Sequence, residues 1–377
     1  MKKFLSIAAI AAMSASLITA CSDSDDDDNP SPAPQPVPVT EGLFLVNSGN
    51  SGSVIPGSLT YISRNGDAVQ NVFRTANERT LGNTPNDIIV YGSKLYIVVT
   101  GENTVEVADR YTLKSITQIN TTELMGGDKG KMPRRLTAAG RYVFLSTFDG
   151  YVAAIDTAAY TAADIYQAGS YPEGMVVNGE TLYVANSDYG QGINPSVSAI
   201  NLNTGAAAEQ KNENIRNPTG LACYDNMLFM LDYGSYDASW NQVGAGVYKI
   251  AGGEVTKVAD ATMMALDAQR GLIYTINAPY TSSGTTPTFN VYNIATNEET
   301  TFITGEDIDS PAAITVDNIS GEVYIASYRL SPDTGYADYN SNGYVNRYSA
   351  EGKLIRQYEA GVSPTAFAFN YTTAVLP

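Results

Sequence analysis

The sequence of 377 residues contains no histidine, only two cysteines and one tryptophan, and its charged side chains make up 16% of the chain. Without an imidazole there is no Ser-His-Asp or Cys-His nucleophile system, no histidine-ligated zinc site, and no axial histidine on haem or cobalt. Positive charge is also scarce, because 22 lysine and arginine residues stand against 39 acidic residues, for a net charge of -17. Nucleic-acid binding needs a clustered basic surface that neutralises phosphates, so this balance argues against nucleic acid as a partner.

The N-terminus predicts a secreted, lipid-anchored protein. Residues 1–20 begin with two lysines after the initial methionine, continue with an apolar run over 4–12, and end in Leu-Ile-Thr-Ala directly before Cys21. This pattern is typical of a secretory signal peptide with a bacterial lipobox, in which Cys21 becomes the lipidated first residue. A transmembrane helix is the alternative, but two serines interrupt the apolar run, which is too short to span a hydrocarbon core of roughly 30 Å.

Residues 21–40 predict an extended tether between the lipid and the body of the protein. An acidic run over 22–29 is followed by a proline-rich stretch over 30–38. The acidic side chains repel one another and the prolines form no packed core, so a solubilising tether accounts for both. The acidic run behind Cys21 also resembles the surface-export signal of Bacteroidetes lipoproteins, which implies display outside the outer membrane.

A repeat of about 46 residues organises the chain from residue 41 onward. Each unit opens with a proline or its substitute, continues through a short apolar strand and a turn, and enters a second strand with an aromatic residue near its start. The openings stand at Pro85, Pro133, Pro172, Pro218, Thr262, Pro311 and Pro364. From Pro85 to Pro364, six steps cover 279 residues, a spacing typical of four short strands with their turns.

This repeat predicts an all-β fold, a seven-bladed β-propeller of four-stranded antiparallel blades over residues 41–377. The opening at Pro364 has no second strand after it, whereas residues 43–47 have the second-strand pattern with no first strand before them. Pairing the C-terminal strand with the N-terminal strands would close the ring and remove an exposed sheet edge. A pair of β-sandwiches and a β-solenoid are the alternatives, and the repeat length favours the propeller.

Four long loops on one face of such a propeller predict a binding surface. In this fold the loops between second and third strands share a face with the connections into the first strands, and here the loops after 186, 232, 277 and 327 are long and rich in tyrosine. Tyrosine presents a flat apolar surface with a hydroxyl at its edge, which suits a bulky polar organic ligand. Packing within a blade is the alternative for any single tyrosine. The aromatic candidates are Tyr189, Tyr233, Tyr236, Trp240, Tyr280 and Tyr328.

Polar residues near the expected channel are the other candidate contacts. Four stand at equivalent positions that close the second strand: Asn186, Asp232, Asn277 and Ser327. We expect these four to ring the mouth of the central channel with hydrogen-bonding groups. Arg134 follows the proline of its unit, where it would pair either with a ligand phosphate or carboxylate or with an acidic residue of a neighbouring blade.

The sequence marks no catalytic group and no metal site. Asp338 to Gly343 imitates the start of a calcium loop, but Ser349 occupies the position of the bidentate glutamate, so an asparagine-rich turn is favoured. A carboxylate pair for glycoside cleavage is defined by its separation in space, which repeat spacing does not reveal. We therefore expect a binding protein and not an enzyme.

The repeated motif also carries a family resemblance. The proline opening, with Leu-Tyr-Val-Ala-Asn at 182–186 or Val-Tyr-Ile-Ala-Ser at 323–327, resembles the YncE-like seven-bladed propellers over about residues 42–370. With the lipobox and the acidic run, the whole chain resembles the BtuG-type surface lipoproteins of Bacteroidetes, which capture cobalamin and sit on a TonB-dependent outer-membrane transporter. No short corrinoid signature is matched residue by residue.

This resemblance implies a surface-exposed outer-membrane lipoprotein that binds cobalamin or a related corrinoid as a transported ligand and passes it to such a transporter. It implies no cofactor of the protein's own. The absence of histidine is compatible with it if the corrinoid is held by its amide-rich periphery. A surface propeller that binds a glycan or a protein partner is the alternative, and a propeller lyase or lactonase is a further one.

Overall fold

The computed structural model describes residues 36–281, 284, 286–304 and 308–375. The expected signal peptide, Cys21 and all but the end of the expected tether lie outside these residues. Within them, no helix combines the length and the apolar character needed to cross a membrane.

Seven four-stranded antiparallel sheets follow one another around the ring, which confirms the predicted seven-bladed β-propeller. We number the blades along the chain and give their strands from the innermost outward. Blade 1 contains Pro364–Val375, Pro36–Asn47, Ser58–Ser63 and Ala68–Val69. Blade 2 contains Pro85–Tyr91, Lys94–Val99, Thr104–Asp109 and Ser115–Asn120. Blade 3 contains Pro133–Ala139, Tyr142–Thr147, Tyr151–Asp156 and Ala162–Gln167. Blade 4 contains Pro172–Asn178, Thr181–Asn186, Ser196–Asn201 and Ala207–Gln210.

The remaining blades repeat this arrangement. Blade 5 contains Pro218–Tyr224, Met227–Asp232, Gly246–Ala251 and Glu254–Ala259. Blade 6 contains Met263–Asp267, Leu272–Asn277, Thr288–Asn293 and Glu298–Ile303. Blade 7 contains Ser310–Val316, Val323–Tyr328, Asn342–Tyr348 and Leu354–Val362. Between the blade strands lie the short hairpin Ser235–Tyr236 with Gln242–Val243, and the two helices Val72–Asn77 and Thr121–Met125.

The C-terminal strand closes the ring, as expected. It pairs antiparallel with the N-terminal strand, Leu43 opposite Phe369 and Leu45 opposite Phe367. Beyond the blade the same two strands continue as a ribbon in which Pro36 lies opposite Val375. Asn47 and Pro364 lie at the other end of this pair. Both ends of the described chain therefore leave the ring at one face.

We call the opposite face the upper face. It carries the loops between second and third strands at 48–57, 100–103, 148–150, 187–195, 233–245, 278–281 and 329–341, together with the connections that enter the first strands. The face with the chain ends, where first and second strands are joined by tight turns, is the lower face.

The hydrophobic core is divided into seven clusters, one in each interface between neighbouring blades. The second strand of blade 2 shows how the sequence builds them. Leu95 and Ile97 pack towards blade 1, whereas Tyr96 and Val98 pack towards blade 3. Because successive side chains of a strand point to opposite faces, a strand inside the ring is apolar on both sides. The continuous apolar runs of the second strands therefore fit a radial array of sheets.

Candidate ligand-binding face

Exposed apolar side chains are concentrated on the upper face. Eleven large ones lie in its loops: Val54, Met132, Tyr189, Ile193, Tyr236, Trp240, Val243, Tyr280, Leu330, Tyr336 and Tyr339. The other exposed ones are spread over the lower turns, the outer strands and the terminal ribbon: Val37, Val69, Tyr111, Ile116, Ile165, Ile319, Leu354 and Ile355. A concentration of exposed apolar groups on one face of a folded protein is typical of a binding surface.

Three of the predicted aromatic residues form one cluster, which spans blades 5 and 6. Tyr236 lies on the short hairpin of blade 5, with its ring centroid 6.4 Å from that of Trp240 and 6.3 Å from that of Tyr280. Gln242 joins the two loops, since its backbone N–H donates to the Tyr280 carbonyl at 2.8 Å and its side-chain oxygen accepts from the Tyr280 N–H at 3.0 Å. Its side-chain amide donates to the Tyr233 carbonyl at 2.7 Å. The cluster is therefore held by hydrogen bonds although its rings are exposed.

A second cluster joins the loops of blades 3 and 4. The ring of Tyr189 lies with its centroid 5.8 Å from that of Phe148 and 5.4 Å from that of Tyr171, and the last two are 5.2 Å apart. The Arg134 guanidinium lies over Phe148, with its carbon 4.3 Å from the ring centroid. Phe148 and Tyr171 did not stand out in the sequence, because the loops that carry them are short.

The other two predicted tyrosines, Tyr233 and Tyr328, are half-buried nearer the channel. The ring centroid of Tyr328 lies 4.9 Å from that of Tyr339 in an edge-to-face contact, and Tyr233 lines the mouth of the channel. Burial raises the pKa of both phenols. Both therefore remain protonated at neutral pH and can donate as well as accept hydrogen bonds.

Two exposed aromatic residues have a left-handed backbone. The φ angles of Tyr189 and Trp240 are 53° and 64°, a conformation that is uncommon for a bulky side chain and costs on the order of 1–3 kcal/mol. Tyr171 also has a positive φ, but so do Thr84, Met132 and Ser363, which precede the repeat proline in other blades. The conformation of Tyr171 thus belongs to the repeat, whereas those of Tyr189 and Trp240 belong to their own loops.

The residues that close the second strands lie differently from the expectation. Asn186, Asp232 and Ser327 are buried, with at most 1% of their surface exposed, and Asn277 is half-buried. The expected ring of polar side chains facing the channel mouth is therefore wrong for the first three. Their repeated position in the sequence reflects a repeated structural contact.

That contact joins the second strand to the chain that enters the blade. The side-chain oxygen of Asn186 accepts a hydrogen bond from the Gly169 N–H at 3.1 Å, and that of Asp232 accepts one from the Arg216 N–H at 2.8 Å. The Ser327 hydroxyl likewise accepts from the Ser310 N–H at 2.9 Å. Asn47, which ends the second strand of blade 1, also accepts through its side-chain oxygen, from the Gly361 N–H at 3.0 Å. Buried backbone N–H groups need such partners, so these residues serve the fold.

Arg134 forms the neighbouring-blade salt bridge, one of the two arrangements that the sequence left open. Its guanidinium nitrogen lies 3.0 Å from a carboxylate oxygen of Glu173 in blade 4, and it also donates to the Asn86 side chain of blade 2 at 3.2 Å. Arg135 lies 3.8 Å from both Asp87 and Glu173. Burial raises the pKa of Asp87, and the Arg135 charge opposes that shift. The network ties three blades together at the channel entrance.

The upper half of the channel is an open cavity of about 580 Å³. The charged network of blades 2 to 4 forms one sector of its wall. The opposite sector is apolar or small: Met263, Met264, Ala312, Ile314, Ala366 and Phe367. These lining residues were missed in the sequence, although they stand at fixed positions just after the repeat opening.

Within the described ranges, no three acidic or cysteine side chains are grouped closely enough to hold a metal ion. In the loop that imitates a calcium site, the Asp338 carboxylate accepts from the Asn340 N–H at 2.9 Å, and the Asn340 side chain accepts from the Asn50 amide at 3.0 Å. The first contact is that of a turn, and the second joins this loop to the upper loop of blade 1.

Comparison with known proteins identifies a family and a fold. A family profile described as a domain of unknown function (DUF5074) matches residues 41–369. No curated protein matches the chain.

Many solved structures resemble it, and two of them cover most of this chain. The hydrazine synthase of Kuenenia stuttgartiensis is 13% identical, with a TM-score of 0.58 over 78% of this chain and 95% of that one. A putative 6-phosphogluconolactonase from Bacteroides uniformis ATCC 8492 is 11% identical, with a TM-score of 0.56 over 88% of this chain and all of that one. At these identities the likeness is one of fold alone.

Proposed function

The chain belongs to the DUF5074 family, and we propose that it is a non-enzymatic surface lipoprotein that captures cobalamin or a related corrinoid on its upper face. The observation that carries this proposal is the concentration of exposed aromatic side chains in the loops around the 580 Å³ channel mouth. Large flat side chains with polar edges favour a bulky ligand that is partly apolar and partly hydrogen-bonding.

The chemistry of a corrinoid fits this surface. Its macrocycle offers an extended apolar face and edge, which pack against rings such as those of Tyr236 and Tyr280. Its periphery carries many amides, which need hydrogen-bonding partners such as the phenols of Tyr233 and Tyr328. Recognition through the periphery needs no protein ligand to cobalt and is compatible with a chain that has no histidine.

Location and partner belong to the same proposal. We place the protein at the outer membrane, anchored through a lipid on Cys21 and exposed at the cell surface, where it passes its ligand to a TonB-dependent transporter. The lipobox, the acidic run and the family resemblance support this assignment. The described chain begins at the lower face, so an anchor attached there leaves the aromatic loops accessible.

Two other functions use the same face. A glycan would also stack on exposed aromatic rings, and a protein partner would cover them. A propeller lyase or lactonase would need a free carboxylate or a metal at the channel. Glu173 is in a salt bridge there, and Asp87 lies 3.8 Å from Arg135. We therefore prefer a binding function to an enzymatic one.

Co-elution with cyanocobalamin tests the proposal. The purified protein is mixed with the vitamin and passed through a desalting column, and red absorbance is expected in the protein fraction. Trp240→Ala should reduce the bound colour, whereas Tyr111→Ala, which removes an exposed aromatic ring from the lower face, should not. Wild-type protein that elutes without colour would refute corrinoid capture and direct the search to glycans. Equal retention by the two variants would refute the placement of the site.

A further inference from the structure

A second cavity lies between the upper loops of blades 4 and 5, apart from the channel. Its volume is about 890 Å³. One part of its lining is apolar, with Ile193 from the loop of blade 4 and Tyr236 and Trp240 from the hairpin of blade 5. The connection between the two blades contributes Lys211, Asn212, Glu213, Ile215 and Arg216 to the wall. The cavity is large enough for a group the size of a nucleotide.

Two cations of that connection have no salt bridge in the described part of the chain. Lys211 and Arg216 are exposed and line the cavity. By contrast, arginines such as Arg134, Arg270 and Arg347 are each paired with a carboxylate. The lysine and the arginine line the same cavity as the exposed ring of Trp240, so two positive charges and a flat aromatic surface are brought together there.

The local contacts hold the two cations at the cavity. The Arg216 backbone N–H donates to the buried Asp232 carboxylate at 2.8 Å, which fixes the start of its side chain. The Lys211 ammonium lies 3.4 Å from the side-chain oxygen of Asn194. The exposed carboxylate of Glu213 lines the same cavity and opposes an anion there, so the attraction depends on the two cations together.

We propose that this cavity binds an anionic group joined to a planar base, with the base against Trp240 and the anion paired with Arg216 and Lys211. Flat bases stack on aromatic rings, and guanidinium groups bind phosphate oxygens through paired hydrogen bonds. This inference rests on the proposed corrinoid function. In cobalamin the matching part is the nucleotide loop. Its phosphodiester carries a negative charge, whereas the amides of the corrin periphery are neutral.

The test compares cyanocobalamin with dicyanocobinamide, which has the corrin ring but lacks the nucleotide loop. Affinities are measured by equilibrium titration for the wild type, Arg216→Gln and Lys211→Gln. Each substitution should weaken cyanocobalamin binding about tenfold, the loss expected for one charge-assisted hydrogen bond, and leave dicyanocobinamide binding unchanged. Lys353→Gln, which removes an exposed charge from the lower face, is the matched control and should change neither.

The Glu213→Gln substitution should change the affinity for cyanocobalamin in the opposite direction. Removing this carboxylate should strengthen cyanocobalamin binding by a few-fold at low salt, and the gain should shrink as ionic strength rises. A loss of binding in this variant would contradict an electrostatic role for the cavity.

The outcomes separate this inference from the function on which it rests. If the wild type binds both corrinoids equally, or if Arg216→Gln and Lys211→Gln weaken both to the same extent, the cavity does not read the nucleotide loop, while corrinoid capture stands. If the wild type binds neither, the proposed function fails and the inference fails with it. A selective loss for cyanocobalamin supports both.

Discussion

At the scale of single residues, equivalent positions in the repeat serve the fold more often than the ligand. Asn186 is the clearest example. Its side-chain amide donates to the hydroxyls of Ser196 and Ser198, both at 2.9 Å, while its oxygen accepts from the Gly169 N–H. Both N–H groups of this buried amide and one lone pair of its oxygen are thus used for contacts of blade 4.

Asn186→Ala should therefore cost stability and not binding. The substitution leaves two buried hydroxyls and a backbone N–H without their partner, so we expect the free energy of unfolding in urea to fall by about 2–4 kcal/mol. Asn203→Ala, in an exposed turn of the same blade, should change it by less than about 0.5 kcal/mol. An unchanged unfolding midpoint for Asn186→Ala would contradict the structural role.

Substitution of Trp240 should instead reduce ligand binding. The residue is 72% exposed and its φ is 64°, so the native backbone conformation is strained for a residue with a bulky side chain. The free energy of unfolding of the Trp240→Gly variant should exceed that of the Trp240→Ala variant by about 1 kcal/mol, because only glycine adopts a positive φ without cost. Both variants should bind cyanocobalamin more weakly than the wild type. Equal stability of the two variants would show that the loop relaxes and that no strain is stored there.

At the scale of elements, the turns after the third strands of blades 2, 3, 4 and 6 share one pattern of hydrogen bonds. An aspartate or asparagine ends the strand, and its side-chain oxygen accepts from the N–H groups two and three residues later. The residues are Asp109, Asp156, Asn201 and Asn293. These side chains satisfy backbone donors that would otherwise depend on water.

The aspartates make two of these turns sensitive to acid. The Ala159 N–H, the Arg141 guanidinium and the Ala158 N–H lower the pKa of Asp156 to about 2. A carboxyl whose pKa is lower in the folded state than in the unfolded chain stabilises the fold above its unfolded pKa of about 4 and loses that effect as the pH falls towards 2. Between pH 4 and 2, unfolding midpoints should therefore fall more steeply for the wild type than for Asp156→Asn. Asparagine occupies the same position in blade 4, so the substitution suits the turn. Parallel pH profiles would contradict this account.

The elements also show how far the sequence determines the structure. The proline openings and apolar second strands predict seven blades and the closing strand, because a repeated pattern averages out local ambiguity. The spacing does not reveal which way a side chain turns at a strand end, so the expectation that Asn186 and Asp232 face the channel is wrong. The hairpin that carries Tyr236 has two-residue strands, too short for any periodic signal. The sequence identifies which loops contain tyrosines. It does not reveal which of these tyrosines lie together, because the clusters depend on contacts between blades.

At the scale of the whole molecule, the ring separates two kinds of surface. The interfaces between blades bury the core, and the C-terminal strand, paired with the N-terminal strand, gives blade 1 the same four strands as the other blades. The exposed aromatic groups gather at the upper face, while the described chain ends leave at the lower face. The central claim is that the upper loops of blades 4 to 7 form the contact surface for a corrinoid.

Hydrogen–deuterium exchange of the protein with and without saturating cyanocobalamin tests that claim most directly. Binding slows exchange of amides that become covered or fixed. We predict slower exchange in the upper loops, residues 188–194, 235–243, 278–281 and 329–340, and unchanged exchange in the turns of the lower face. Protection confined to the lower turns, or no protection anywhere at saturating cyanocobalamin, would contradict the account.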